Sequence, residues 1–243
     1  MQQDPLGTQP PKPTQPPVHN GAAIAFQVGV ADTTQREAVT ALRRAAYRGA
    51  TQFDWNDEST LDWSTADDTG TVLAVWDTAG NLLSTIRASV FADATAVEAF
   101  LEYSLAGINV PGPTLVLSRA ATAPAAAHHG LFALLRYAYL SALPATPISS
   151  VIAIVYEGAP HSGFMRECGY SFFEPQTAWD TEAVARTRPL LAVLPSAQFA
   201  HSLNMRRAAL AGRLEGVCLD VAGIAESLRA GCAALATSTH ASR

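Results

Sequence analysis

An arginine at the end of an apolar strand is the feature of this sequence most suited to chemistry. Residues 114–119 (TLVLSR) mix β-branched and aliphatic side chains, which predicts a short strand ending at Arg119. A charge in that position must be paired or face a cleft, because an unpaired buried charge is costly. Two interpretations are open: an ion pair with Asp67 or Asp68, or bidentate binding of a substrate carboxylate. Arg87, on another predicted strand, has the same two interpretations.

A second candidate site follows at the start of the next predicted helix. This helix begins after Gly130, and apolar residues recur along it at three- and four-residue spacing. The first-turn N–H groups have no intrahelical partner, and with the helix dipole they favour a bound anion such as a phosphate. The two histidines before the glycine either donate to that anion or are simply polar loop residues. The predicted contacts are Ala121, Thr122, His128, His129, Gly130 and Leu131.

The elements predicted to position these residues run in the order β-α-loop-β-β-α-β-α-β-α-β, followed by two helices. The strands are predicted over 23–30, 71–77, 82–91, 114–119, 149–156, 171–179 and 186–194. The helices are predicted over 33–48, 94–105, 131–143, 161–167, 196–214 and 220–235. Pro189 places the last strand at an edge or in a bulge, because proline cannot donate to a sheet.

The first helix has an apolar stripe and a basic face, and a long loop over 51–70 follows it, with room for a helical turn. The stripe consists of Val39, Leu42, Ala46 and Tyr47. The basic face consists of Arg36, Arg43, Arg44 and Arg48.

Composition excludes several classes of protein. The chain has 243 residues, 49% hydrophobic and 15% charged, with a net charge of −5 and no basic block, which argues against nucleic acid as a partner. No apolar run reaches the roughly 18 residues of a membrane span. Three cysteines without paired or metal-ligand spacing predict free thiols in a reducing cytoplasm.

We expect a disordered Pro/Gln-rich tail over 1–22, an α/β domain over 23–195, a helical extension over 196–236 and a disordered tail over 237–243.

Over residues 25 to 180 the order of elements resembles the GNAT acyltransferase fold, a mixed, mostly antiparallel α/β sheet flanked by helices. Leu117-Ser118-Arg119, then a loop, Gly130 and an apolar helix, is similar to the core of acyl-homoserine lactone synthases and N-acyl amino acid synthases. Other positions agree with that resemblance: Arg44 and Arg48, Phe53 and Trp55, Asp67 and Asp68, Arg87, and the segment 161–170 (HSGFMRECGY).

The departures from the family pattern narrow the resemblance. Enzymes of the fold that use coenzyme A usually carry Arg/Gln-x-x-Gly-x-Gly/Ala in the loop, and residues 127–132 (AHHGLF) retain only Gly130. That favours the branch that takes acyl chains from acyl carrier protein. Met165 stands where many members have a tyrosine acid, and Val116 stands where the lactone synthases have a glutamate.

The resemblance implies an N-acyltransferase that moves an acyl chain from an acyl-carrier-protein or coenzyme A thioester to the amine of an amino acid or similar small molecule. No tightly bound cofactor and no metal are expected. The alternatives are a coenzyme A-dependent acetyltransferase and a non-catalytic GNAT-like domain that binds lipid or a partner protein. Arg44 and Arg48 then either dock an acidic carrier protein or form a solvated helix face.

Acyl transfer needs a neutral amine, a stabilised oxyanion and an apolar slot for the chain. A splayed strand edge over 116–121 would supply N–H groups to the oxyanion. Glu58 and His161 are the candidate bases; the alternatives are a solvated loop carboxylate and a hydrogen-bonding residue at a helix start. Phe53 and Trp55, with Trp63, either line the acyl slot or pack over the core. The predicted substrate contacts are Arg87, Trp55, Phe53 and Ser118, and the predicted catalytic residues are Arg119, Glu58 and His161.

Overall fold

The computed structural model describes residues 26–48, 58–159, 161–174 and 188–241, and within them one sheet carries eight strands. The strands are β1 Phe26–Ala31, β2 Thr71–Trp76, β3 Leu82–Phe91, β4 Thr114–Thr122, β5 Ser150–Tyr156, β6 Ser171–Phe173, β7 Pro189–Pro195 and β8 Val217–Leu219. Their order in the sheet is β6-β7-β5-β4-β3-β2-β1-β8. Only β4–β5 and β1–β8 are parallel pairs, so the predicted mixed, mostly antiparallel sheet is confirmed.

Seven α-helices flank this sheet within the described residues. They are α1 Arg36–Arg48, α2 Thr65–Thr69, α3 Ala94–Leu101, α4 Leu131–Ala142, α5 Ser162–Glu167, α6 Phe199–Ala209 and α7 Val221–Ala241. None of the helices that the structure describes is long and apolar enough to cross a membrane.

The two faces of the sheet are covered by different helices, because side chains alternate along each strand. α1 and α3 bury Val39 and Val97 against one face, which we call the α1 face. α4, α6 and α7 bury Leu135, Phe199 and Ile224 against the other, which we call the α4 face. Each such large side chain contributes roughly 1.5–3 kcal/mol when fully buried, so the main core fixes α4 firmly against the sheet.

β4 and β5 separate part of the way along their length. Their pairing ends at Leu117 and Ala153, although β4 continues to Thr122 and β5 to Tyr156. The space between 118–122 of β4 and 154–156 of β5 is called the β4–β5 gap. On its other side β4 is bulged, because its register with β3 shifts between Thr85 and Arg87.

The bulge places Arg119 at φ 53°, in the left-handed region that residues other than glycine adopt rarely. An extra residue in one strand bends it and turns its side chain toward a new direction. The charged end of the predicted strand thus lies where β4 leaves β5.

The sheet differs from the prediction in two ways: β7 is not an edge strand, and a strand that was not predicted, β8, is present. β7 lies between β5 and β6 and not at an edge; Pro189 fits there because it is the first residue of the strand, and β6 pairs only with 191–193. The segment between the two C-terminal helices forms β8, which pairs with β1. α7 also packs on β1, β2 and β3, with Ile224 and Leu228 fully buried.

The prediction that Arg43 belongs to a solvated basic face was wrong as well. Arg43 is fully buried, like Val39, four residues earlier on α1, whereas Arg36 and Arg48 are exposed. Two helical residues four positions apart share a face, so Arg43 projects into the protein with the apolar stripe.

Candidate active site

A buried ion pair lies on the α1 face beside the β4–β5 gap. Arg43 holds Asp67 with two bonds, Nη1 to Oδ2 at 3.1 Å and Nη2 to Oδ1 at 2.6 Å. Both side chains are completely buried. The first turn of α2 fixes the carboxylate from the other side, since the backbone N–H of Ser64 donates to Asp67 Oδ2 at 2.9 Å and its hydroxyl at 3.1 Å.

The environment of Asp67 keeps it ionised. Burial by itself would raise the pKa of this carboxyl, but the hydrogen bonds and charge of Arg43 outweigh burial and lower the pKa below its ordinary value. Asp67 is therefore the fixed negative charge of the cluster. The neighbouring Asp68 belongs to a different, half-exposed group, in which it pairs with Arg36 at 2.5 Å and accepts from Trp63 Nε1 at 2.8 Å.

Arg87 reaches the same cluster from β3. It is 5% exposed, and its Nε donates to Ser118 Oγ on the paired strand at 3.0 Å. Its Nη1 lies 3.7 Å from Asp67 Oδ2 and 3.4 Å from the hydroxyl of Ser64. Burial, above all, lowers the pKa of Arg87 to about 10, with Asp67 opposing the shift and Arg119 adding to it. Two of the predicted substrate contacts, Arg87 and Ser118, are thus in contact.

Arg119 completes the cluster, and no described carboxylate forms an ion pair with it. Its Nη1 is buried and has no hydrogen-bond partner in the described residues. Burial lowers the pKa of Arg119, and of the described carboxylates only Asp67 acts on it, from beyond ion-pair distance. Neither Asp67 nor Asp68 is the ion-pair partner of Arg119. Among the described residues, three guanidinium groups therefore share one carboxylate, which Arg43 already holds bidentately.

Two tyrosines border this charged cluster. Tyr47 is on α1 next to the three arginines, and burial raises the pKa of its hydroxyl. Tyr156 ends β5 on the opposite side of the gap, and burial, with the proximity of Tyr47, raises its pKa to about 12. Both phenols are therefore neutral at physiological pH.

The start of α4 lies after the end of β4, as predicted. Gly130 is the helix N-cap at φ 72°, with no side-chain cap for the first N–H groups. A Cβ added there would come within 2.5 Å of Nη1 of Arg213, which follows α6. His128 and His129 are exposed, whereas Leu131 is buried in the core. At the end of β4, Ala121 is buried and the hydroxyl of Thr122 bonds Ser84 at 2.8 Å.

Of the two candidate bases, His161 lies near Arg136 and Arg206 and apart from the arginine cluster of the α1 face. His161 is the N-cap of α5, with its ring 5.8 Å from that of Phe132 on α4. Although it is partly exposed, desolvation lowers its pKa to about 4, and two arginines on the α4 face add to this shift. Glu58 is the first residue of a short 3-10 turn that ends at Leu61. The calls on Phe53 and Trp55 lie outside the described residues.

Two of the positions where the chain departs from the family pattern, Val116 and Met165, are core positions. Val116 is fully buried between strands, and Met165 is 1% exposed in the main core. Cys168 is fully buried, and burial raises its pKa, so it does not offer a thiolate nucleophile. Arg44 is paired with Asp62 at 2.7 Å on the half-exposed side of α1. No group of metal-binding side chains occurs in the described part of the chain.

Sequence reasoning did not assign four residues to the site: Arg43, Tyr47 and Tyr156 beside the gap, and Arg213 beside Gly130. For Arg43 a signal existed, because its position continues the apolar stripe of α1 through Val39 and Leu42. For Tyr156 the signal is its place at the end of β5, two residues after Ile154 and therefore on the same face. Arg213 gave no signal, because only the folded chain brings it to α4.

Solved structures with a similar fold include two kinds of acyl-transferring enzyme. An N-acyl amino acid synthase from uncultured soil microbes is 14% identical with a TM-score of 0.53, over 75% of this chain and 98% of that one. A CoA-dependent acyl-homoserine lactone synthase, solved with SAM and isopentyl-CoA, is 13% identical with a TM-score of 0.52, over 83% and 98%. No protein-family model and no curated protein matches the chain. The likeness shows the fold, which is the GNAT fold that the sequence predicted.

Proposed function

We propose that this GNAT-fold protein is an N-acyltransferase that transfers an acyl chain from a phosphopantetheine thioester to the amine of an amino acid or a similar carboxylate-bearing small molecule. The observation that carries the proposal is the excess of positive charge among the described residues beside the β4–β5 gap. Arg87 and Arg119 are largely buried there, and Asp67 is engaged by Arg43. A substrate carboxylate is the anion whose shape suits a guanidinium pair.

The same cluster prepares the amine for attack. An ammonium group held next to two guanidinium groups is disfavoured, so its pKa falls and the neutral amine becomes available. The amine nitrogen attacks the thioester carbonyl carbon, the tetrahedral intermediate collapses, and the C–S bond breaks to release the thiol. The proton lost by the nitrogen ends on the departing thiolate. Glu58 and His161 remain the proposed carriers of that proton, although a histidine with a pKa of about 4 is a weak base.

The gap suits the thioester itself. Beyond Leu117 the edge of β4 that faces β5 has no strand partner, so its backbone groups are available to the thioester oxygen. Since β4 and β5 are parallel, the loops that follow them lie at the same edge of the sheet, and α4 starts there. The donor phosphate would bind the uncapped start of α4 at Gly130, within reach of Arg213.

Arg213 favours a second candidate donor. The loop before Gly130 lacks the family arginine, and for that reason acyl carrier protein is the expected donor. The guanidinium of Arg213, which follows α6 in the chain, lies beside Gly130 and supports coenzyme A as a donor as well. Competition between acyl-carrier-protein and coenzyme A thioesters of the same acyl chain separates the two. Arg213→Gln should weaken binding of the preferred donor. Arg207→Gln, on the exposed side of α6, should leave donor binding unchanged.

The test of the proposed function is direct. The purified protein is incubated with each class of thioester and a pool of amino acids and their carboxamides, and N-acyl products are identified by mass spectrometry. We expect acylated amino acids and few acylated carboxamides. If neither thioester is consumed with any amine, the enzyme proposal fails and a non-catalytic binding domain takes its place.

A further inference from the structure

A second cluster of buried arginines lies on the opposite side of the sheet, among the helices of the α4 face. Arg136 on α4 is 4% exposed and Arg206 on α6 is 2% exposed. Each guanidinium lies over an aromatic ring, Arg136 at 4.4 Å from the centroid of Phe132 and Arg206 at 5.4 Å from that of Phe164. Neither arginine takes part in the proposed acyl transfer.

Neither guanidinium has a hydrogen-bonding or ionic partner among the residues that the structure describes. Nε of Arg136, and Nε and Nη2 of Arg206, are buried without a hydrogen bond. No described carboxylate forms an ion pair with them; Glu167, at the end of α5, is exposed. Stacking on a ring orients a guanidinium but leaves its charge and its N–H donors unmatched.

Tyr139, Cys168 and His161, which lie near this arginine pair, are neutral at physiological pH. The hydroxyls of Tyr139 and Tyr170 bond each other at 2.7 Å, and burial raises the pKa of Tyr139. Burial also raises the pKa of Cys168. His161, at the outer end of the cluster, is uncharged at neutral pH because desolvation and the two arginines lower its pKa to about 4. Within the described residues the cluster therefore has two positive charges that no carboxylate pairs with.

We propose that Arg136 and Arg206 form a binding site for a phosphate monoester between α4, α5 and α6. A phosphate monoester has a charge of about −1.5 to −2 at pH 7, which matches two guanidinium groups. Its oxygens accept the paired donors that a guanidinium presents. The buried hydroxyl of Ser202, one turn before Arg206 on α6, is a further donor. Exposed His161 and half-buried Phe132 mark the side from which the phosphate enters.

Two sources of phosphate fit this chemistry. One is a distal phosphate of the acyl donor, because α4 and α5 follow the two strands that border the β4–β5 gap. The other is a small phosphate ester unrelated to the reaction. Only the first source rests on the proposed acyl transfer, so disproof of that function would not refute the phosphate site.

Thermal unfolding of the full chain in phosphate and in chloride, at equal ionic strength, tests the site. We expect inorganic phosphate about 100-fold above its Kd to raise Tm by about 5 °C or more. Arg206→Met should abolish this rise, and the matched control Arg207→Met, at the adjacent exposed position, should retain it. Without phosphate, Arg206→Met should be at least as stable as the wild type, because it removes an uncompensated buried charge.

The site is refuted if phosphate does not raise Tm of the wild type, or if Arg206→Met responds as the wild type does. A purely structural role of Arg206 would instead make Arg206→Met less stable in chloride. An independent readout is the NMR titration of His161, whose pKa should rise from about 4 when phosphate binds between the arginines.

Calorimetry with coenzyme A and 3′-dephospho-coenzyme A separates the sources. If the donor supplies the phosphate, coenzyme A should bind at least about tenfold more tightly than the dephospho form to the wild type, and equally to Arg206→Met. Equal binding of the two to the wild type, with the phosphate effect on Tm retained, assigns the site to another phosphate ester.

Discussion

Removing the charge of Asp67 should destabilise the protein far more than removing a charge one residue away. Asp67→Asn keeps the shape of the side chain but leaves Arg43 and Arg87 without a negative partner among the described residues. An amide also places two N–H donors where the carboxylate accepted from Arg43 and Ser64. Breaking a buried pair by removing one partner costs about 3–5 kcal/mol, a large part of the roughly 5–15 kcal/mol that stabilises a typical domain.

Asp68→Asn is the matched control, with the same change of charge on the same helix. Its pair with Arg36 is 38% and 49% exposed, so its loss should cost no more than about 1 kcal/mol. The measurement is urea unfolding at pH 7, followed by circular dichroism and fluorescence, with the m-values compared to verify a two-state transition. A loss for Asp67→Asn as small as that for Asp68→Asn would show that the buried pair is not what holds α1 to α2.

The pH dependence of the free energy of unfolding tests the same prediction independently. The pKa of Asp67 is lower in the folded protein than in the unfolded chain, where it is about 3.9. Its contribution is therefore fully present above that value and is lost as the pH falls from about 5 through the folded pKa. The pKa values of Asp32 and Asp77 are also lowered, so the useful quantity is the difference between wild type and Asp67→Asn. That difference should shrink on acidification and stay constant between pH 6 and 8.

Three further predictions follow from the described geometry. Arg119→Met should lower kcat/KM about 10- to 100-fold for amines that carry a carboxylate and little for their carboxamides, as measured by product formation, because a charge-assisted hydrogen bond contributes roughly 1.5–3 kcal/mol; equal losses for both amines would contradict the carboxylate clamp. Gly130→Ala and Gly107→Ala should each lower the free energy of unfolding in urea by about 1–2 kcal/mol, since both glycines have positive φ. Only Gly130→Ala should raise KM for the thioester, because its Cβ would displace the guanidinium of Arg213, 2.5 Å away. Tyr139→Phe and Tyr170→Phe should each cost about 1–3 kcal/mol, and the double variant should cost less than the sum; strict additivity would show that the 2.7 Å hydroxyl pair is not coupled.

The sequence predicted the elements whose patterns are long and regular. β3 was predicted with the bounds that the structure has, and the helix after the strand from Thr114 was predicted to begin after Gly130, as it does, because alternation, helical stripes and a glycine cap are local signals. β8 has only three residues, too few for a period to show. The position of Pro189 depends on which strands flank β7, and a local sequence pattern does not predict which distant segments pair.

The candidate site was predicted in part for a related reason. Arg87, Ser118 and Arg119 stood out because they follow apolar strand residues, and the structure brings them together on the α1 face. Arg43 was assigned by its chemical type to the solvent side although its spacing placed it with the buried stripe. The β-bulge that turns Arg119 is a property of the β3–β4 register and has no signature in a single strand. Arg206 was missed in the same way as Arg43, since its charge concealed a buried helical position.

The pairing of β8 with β1 has a consequence for how the chain is made. β1 is the first described strand to be synthesised, yet one of its edges is filled by Val217–Leu219, near the end of the chain. Until those residues leave the ribosome, Phe26 and Val28 belong to an open strand edge, a template for pairing with another chain. The contact has a very large sequence separation, so its loop-closure entropy makes it a slow step of folding. A nascent chain or a truncation that stops before residue 217 should therefore be the form of this protein that most readily aggregates.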